Sequence, residues 1–246
     1  MLKINKSSIR GINMYQEYNN VEENFGGTSK RIAYEEVIAK TYIFMMIGLL
    51  ITAFAAFTIS PNVVYKIFTG NYFFFIVLGE LAIVMISNWA LRQNKVILAG
   101  ILYVVYAYLT GIIFSLIFML YTASSLVSVF AITASVFFVM SIYGLFTKRD
   151  LTSVGNMSLM ALLGIMIASI VNMIFLKSSM FDLVISCVVV LVFVLLVAYD
   201  SQKIKNRIAY ANDNNILTIA LCGAFELYLD FINILLRLIR IFGKRK

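Results

Sequence analysis

Few residues in this chain are suited to acid–base or ion chemistry, so the ones that are stand out. Of 246 residues only 12 are Asp or Glu, and there is no His. Without His, the usual general base, the commonest metal ligand and the usual switch near neutral pH are missing. A response to pH must come from carboxyl groups. Those that interrupt apolar sequence are Glu80, Asp200, Glu226 and Asp230. Glu226, Asp230, Asn233, Arg237 and Arg240 are spaced by four, three, four and three. That spacing places all five on one face of a helix.

Asp200 lies in Ala198-Tyr199-Asp200-Ser201-Gln202, and a turn signal follows at Asn212-Asp213-Asn214-Asn215. If the flanking helices both run to that turn, Asp200 lies about 13 residues before its centre and Asp230 about 16 after, a height difference of roughly 5 Å. Glu226, about 12 residues after the turn, is an equally permitted partner by spacing. Two carboxyls in contact cannot both ionise cheaply, so they share a proton and titrate as one unit. The shared proton would hold two helices together, and its loss would part them or admit a cation. Carboxylate oxygens suit calcium, which takes about six to eight oxygen ligands. A few of these carboxyls, with Asn233 and water, would form a weak transit site for calcium. Glu80 stands alone in its own apolar run, and Arg92 at the end of that run is a candidate cation for the cluster. A plainer reading has Arg237 and Arg240 extending to the membrane interface and Asp200 at a solvated helix end.

The elements that must position these groups are membrane helices. Hydrophobic residues make up 62% of the chain and charged residues 13%, with mean hydropathy +0.93. A soluble domain averages about 25% charged residues. The apolar runs are continuous and about 20 residues long, which suits spanning helices rather than the alternating short strands of a barrel. Seven qualify: residues 41–59, 73–91, 96–120, 126–146, 156–176, 181–200 and 216–242. The fold class is therefore all-α and polytopic. The third and fourth runs have almost no polar connector, which predicts a tight hairpin around 122–125. Residues 1–40 read as a polar cytosolic tail, with 34–38 an amphipathic lead-in at the membrane surface. Residues 41–243 form the transmembrane domain, and 244–246 a basic tail.

Lys and Arg set the orientation. Thirteen fall on the N-terminal side of the membrane and only Lys66 and Lys177 in the opposite loops. This predicts a multi-pass protein of the cell (plasma or inner) membrane with a cytoplasmic N-terminus. Arg237, Arg240, Lys244, Arg245 and Lys246 conflict with that rule if all seven segments span. Full crossing remains the expectation, because earlier loops dominate. Cys187 and Cys222 lie in apolar sequence and read as packing residues. No cofactor is expected. The net charge of +8 sits at membrane edges, so the expected partner is the lipid bilayer and not nucleic acid.

The segment Ala198-Tyr199-Asp200-Ser201-Gln202-Lys203-Ile204, followed by Leu227-Tyr228-Leu229-Asp230-Phe231-Ile232-Asn233, resembles the transmembrane Bax inhibitor motif family in its bacterial form. Arg237-Leu238-Ile239-Arg240-Ile241-Phe242-Gly243 and the first span, Lys40-Thr41-Tyr42 through Gly48-Leu49-Leu50-Ile51-Thr52, match as well. The likeness covers about residues 35–243. It implies seven helices with a central, polar-striped last helix. It also implies a pH-sensitive calcium leak, with calcium as the transported ion and protons as regulators. The family's aspartate pair falls on Asp200 and Asp230, which selects Asp230 over Glu226. Glu80 and Arg92 resemble the family's second-helix acid and its basic latch. Glu226 departs from the small polar residue expected there.

Two other functions compete. Intramembrane aspartyl proteases also pair a Tyr-Asp on one helix with an Asp on the next, and Tyr199-Asp200 fits. Their second aspartate follows Gly-x-Gly, however, whereas Asp230 follows Leu227-Tyr228-Leu229, so an enzyme is not expected. A non-conducting regulator that binds a membrane-protein partner, in protease modulation or stress survival, is the stronger alternative.

Overall fold

A backbone surrounded by lipid must satisfy its own N–H and C=O groups, so long apolar runs become helices. The computed structural model describes residues 34–70, 72–208 and 215–246. Its helices are α1 (Tyr34–Thr58), α2 (Pro61–Thr69), α3 (Tyr72–Arg92), α4 (Val96–Leu120), α5 (Ala123–Phe146), α6 (Thr152–Val171), α7 (Ser179–Ile208) and α8 (Ile216–Phe242). All except the short α2 are long and apolar enough to cross a bilayer. The chain is an all-α polytopic membrane protein.

The last helix is central. In its most apolar stretch 72% of residues are buried, against 6–33% in the other six spans. α8 packs on α7, α5, α4 and α3, and Tyr228 on α8 shares a 2.7 Å hydroxyl hydrogen bond with Thr52 on α1. Polar side chains confined to one stripe leave the rest of α8 free to pack; Leu227, Tyr228, Phe231 and Ile234 are all buried. The peripheral helices point large apolar residues such as Phe57, Ile97 and Phe146 outward, as lipid contact requires. Small residues allow two close crossings. A Cβ added at Gly144 would lie 2.1 Å from the Ala198 carbonyl oxygen, so α5 meets α7 backbone to backbone near Asp200. At Gly111 it would lie 2.5 Å from Ala55 Cβ, which joins α4 to α1.

Several boundaries differ from the sequence expectation. α1 is helical from Tyr34, with Val37 and Thr41 buried, so the amphipathic lead-in continues the first span instead of lying beside it. The rest of the expected tail, residues 1–33, lies outside the described residues. α2 was not anticipated: Pro61 occupies the first helical position, where its missing N–H costs nothing and its fixed φ suits the helix. α6 ends in a π turn, Asn172–Leu176. The Asn172 side chain closes it, donating to Ser178 O at 3.2 Å and accepting from Ser178 N at 3.1 Å.

α7 runs on to Ile208 rather than stopping at Asp200. The polar residues after Asp200 point inward. Gln202 donates to Arg149 O at 2.7 Å and accepts from Leu151 N at 2.8 Å, which ties down the α5–α6 connector. Beside that connector, outside the spans, Thr152 donates to Asp150 through both its hydroxyl and its backbone N–H. These two bonds hold the Asp150 carboxyl below the usual carboxylate range.

The expected tight hairpin between α4 and α5 does not form. Tyr121 and Thr122 are extended, and the two helices diverge from them. The chain's own C-terminal residues pair with this connector. Thr122 N donates to Lys244 O and Lys246 N to Leu120 O, both at 2.9 Å. At its other end α8 meets the α3–α4 connector, where the Thr218 hydroxyl donates to Asn94 Oδ1. α8 therefore crosses the full bundle.

Candidate functional site

The antiparallel contact of α7 with α8 carries the polar groups. Asp182, Asp200, Lys203 and Arg207 belong to α7, and their partners are the stripe on α8. At one end Arg240 pairs with Asp182. In the middle the carboxyls of Asp200 and Asp230 face each other within hydrogen-bonding reach. They are 8% and 4% exposed. Toward the other end Glu226 accepts from four donors: Lys203 Nζ at 2.8 Å, the two Arg207 guanidinium nitrogens at 2.9 and 3.1 Å, and the Cys222 thiol at 3.8 Å. Arg207 also donates to Cys222 Sγ at 3.1 Å.

Lys203 links the two carboxyl groups of sites. Its Nζ lies 3.6 Å from Asp200 Oδ1 while it holds Glu226. From α5 the same region receives Gly144 and the Ser141 hydroxyl, which accepts from Ser201 at 3.2 Å. Asp230 Oδ2 is buried with no hydrogen-bond partner. A buried carboxylate oxygen left unpaired is costly. The arrangement suits a pair that holds one proton between its members and has two cations nearby to balance the charge when the proton leaves.

A second polar group lies elsewhere on α8. Thr110 on α4 donates to Glu80 at 3.0 Å. The Thr52 hydroxyl, besides meeting Tyr228, lies 2.9 Å from Ala107 O. Tyr103 and Tyr106 stack edge-on against Tyr228.

The structure thus brings Asp200 and Asp230 together and separates the other residues singled out from sequence. Glu226 lies one turn from Asp230, ion-paired with Arg207 and with Lys203, which also reaches Asp200. Glu80 is held by Thr110. Arg92 is exposed, and among the described residues the cations of the cluster are Lys203 and Arg207 instead. Those two lie on the same α7 face as Asp200, and Lys203 reaches it without crossing between helices. Asn233 donates to its own helix at Leu229 O, 2.8 Å away, so its amide is engaged locally. Asp200 is an interior residue and not a solvated helix end. Sequence reasoning missed Lys203, Arg207 and Asp182. The signal was present: 200, 203 and 207 are spaced by three and four, the repeat of one helical face. Among the described residues no group of three or more His, Cys, Asp or Glu is assembled for a metal ion. The aspartates form a pair and not a resident metal cage.

The family profile described as "Inhibitor of apoptosis-promoting Bax1" matches residues 34–246. The chain belongs to this Bax inhibitor family. Curated relatives agree in length and sequence. Inner membrane protein YbhL of Escherichia coli K12 is 40% identical over 222 residues, 88% of this chain and 94% of that protein. An uncharacterized protein of Rickettsia prowazekii is 38% identical, covering 89% and 95%. An uncharacterized membrane protein of Streptococcus pyogenes serotype M3 is 32% identical, covering 88% and 96%. The matched residues include all seven of the membrane-length helices.

Proposed function

We propose that this Bax inhibitor family protein is a pH-sensitive cation leak, with calcium as the transported ion, gated by Asp200 and Asp230. The observation that carries the reading is the buried aspartate pair between α7 and the central helix. A shared proton closes the α7–α8 seam; its loss leaves two carboxylates that repel each other and attract a cation. The charges facing the pair are Glu226 and Lys203, with Arg207 behind them. The protein sits in the inner membrane with its N-terminus in the cytoplasm, which the Lys and Arg distribution and the YbhL likeness support.

Calcium flux into proteoliposomes across a pH series tests this. Wild type passes calcium with a pH-dependent rate, and Asp200→Asn and Asp230→Asn each lose most of that pH dependence. Unchanged flux and pH response in both variants would sink the mechanism. No flux from folded wild type at any pH would favour the non-conducting regulator. Cleavage of a membrane peptide, abolished by Asp230→Asn, would favour a protease.

A further inference from the structure

We propose that the space between the diverging helices α4 and α5 is a binding site for one acyl chain of an anionic phospholipid, whose headgroup is held by the basic C-terminal residues. Because α4 and α5 part at Tyr121–Thr122, they leave a cavity of about 350 Å³. That is within the range of ligand pockets, roughly 300–1,000 Å³. Its floor is the central helix, at Ile232, Leu235 and Ile239, and its walls include Ala53 and Phe57 of α1, Phe118 of α4 and Val127 and Phe130 of α5. Apart from Thr52, whose hydroxyl is occupied by Tyr228 and Ala107 O, the polar residue lining it is Lys246.

Two observations select the occupant. The rim residues Phe57, Val127 and Phe130 are exposed, so the cavity is reached from the hydrocarbon layer, where acyl chains are the solvent. Its end is capped by Lys244, Arg245 and Lys246, all exposed. Pairing with Leu120–Thr122 fixes their backbone there, and Lys246 Nζ donates to Phe118 O at 3.0 Å. The acid near this end, Asp182, is already paired with Arg240. Moving an acyl chain from bilayer to cleft yields little selectivity, because lipid is as apolar as the lining. The headgroup must supply the preference. A basic side chain near an anionic surface is worth roughly a fivefold change in affinity. The chemistry therefore fits phosphatidylglycerol better than phosphatidylethanolamine.

The test uses the full chain in nanodiscs with Trp89→Phe, which removes the sole Trp, and Val127→Trp at the exposed rim. Brominated phosphatidylglycerol is expected to quench the new Trp at a severalfold lower mole fraction than phosphatidylethanolamine brominated at the same carbons. A Phe138→Trp control, exposed on α5 but about 16 Å along the helix from Val127 and outside the cleft lining, is expected to show no headgroup preference. Lys244→Gln with Arg245→Gln and Lys246→Gln abolishes the preference. Ala53→Phe, which fills the cavity, lowers quenching by both lipids while circular dichroism stays helical. Equal quenching by the two headgroups in the Val127→Trp protein, or the same preference at Phe138→Trp, would overturn the site in favour of ordinary boundary lipid.

Discussion

Lys203 is shared between two sites, and separating its roles gives the sharpest test at the residue scale. Its ammonium lies 3.6 Å from Asp200 Oδ1, so in the proposed leak it is a tethered competitor for calcium at the aspartate pair. Lys203→Met keeps the stem and removes the charge. Calcium flux is then expected to rise severalfold at pH values where the pair is ionised and to saturate at lower calcium. Flux equal to wild type would show that Lys203 serves only Glu226. Glu226→Gln acts in the opposite sense, on stability: it strands Lys203 and Arg207 beside each other. Breaking a fully buried pair costs about 3–5 kcal/mol. Glu226 is 22% exposed and both cations 32%, so water offsets part of that, and about 1–3 kcal/mol is expected as a lower thermal midpoint in detergent. Combining Lys203→Met with Glu226→Gln should cost less than the sum of the single changes.

At the scale of elements, the α5–α7 crossing decides how firmly Asp200 is placed. Gly144→Ala puts a Cβ 2.1 Å from the Ala198 carbonyl oxygen, two residues from Asp200. The contact is with backbone, so a helix must move. Overpacking of this kind costs about 1–3 kcal/mol, more than the gain of about 1 kcal/mol in helix propensity. Gly164→Ala on α6 meets nothing within 4 Å and is the matched control. The expected result is a lowered thermal midpoint for the first substitution and none for the second. The same crossing shows what the sequence could and could not convey. Seven spans were legible because hydrocarbon thickness fixes their length and composition. The α7–α8 pairing was legible because a turn signal and a four–three repeat set both heights. The divergence of α4 from α5 was not, because a short connector reads as a hairpin whenever its backbone direction is unknown. Arg92 suggests itself from sequence because it ends the Glu80 run and resembles the family's basic latch; Lys203 and Arg207, already on the Asp200 face, need no long reach to take its place. α2 is not legible in the sequence because nine residues opening on Pro61 are too few to show a membrane-helix pattern.

For the whole molecule, the basic end of α8 is where fold and charge rule disagree, and the structure supplies the reason. α8 crosses from the α3–α4 connector to the α4–α5 connector, so Arg240 through Lys246 lie on the opposite side from the other basic clusters. Their placement is tied down by specific partners. Arg240 pairs with Asp182, Lys246 Nζ caps Phe118 O, and two backbone hydrogen bonds join the tail to Leu120–Thr122. The proposed cytoplasmic N-terminus then requires an external C-terminus. Alkaline phosphatase fused after Lys246 is expected to be active in cells and green fluorescent protein at the same place dark; the reverse would put the N-terminus outside. Removing residues 244–246 tests the strap separately. It deletes the two backbone bonds together with those from Lys244 N to Ser125 Oγ and from Lys246 Nζ to Phe118 O, worth about 0.5–1.5 kcal/mol each, and opens the end of the cleft. The truncated protein should keep its seven crossings, because the thirteen basic residues on the other side still set the orientation. It should unfold at a lower temperature by an amount that matches the loss of those hydrogen bonds. A change of orientation on truncation would mean that the tail, not the earlier loops, decides how the bundle enters the membrane.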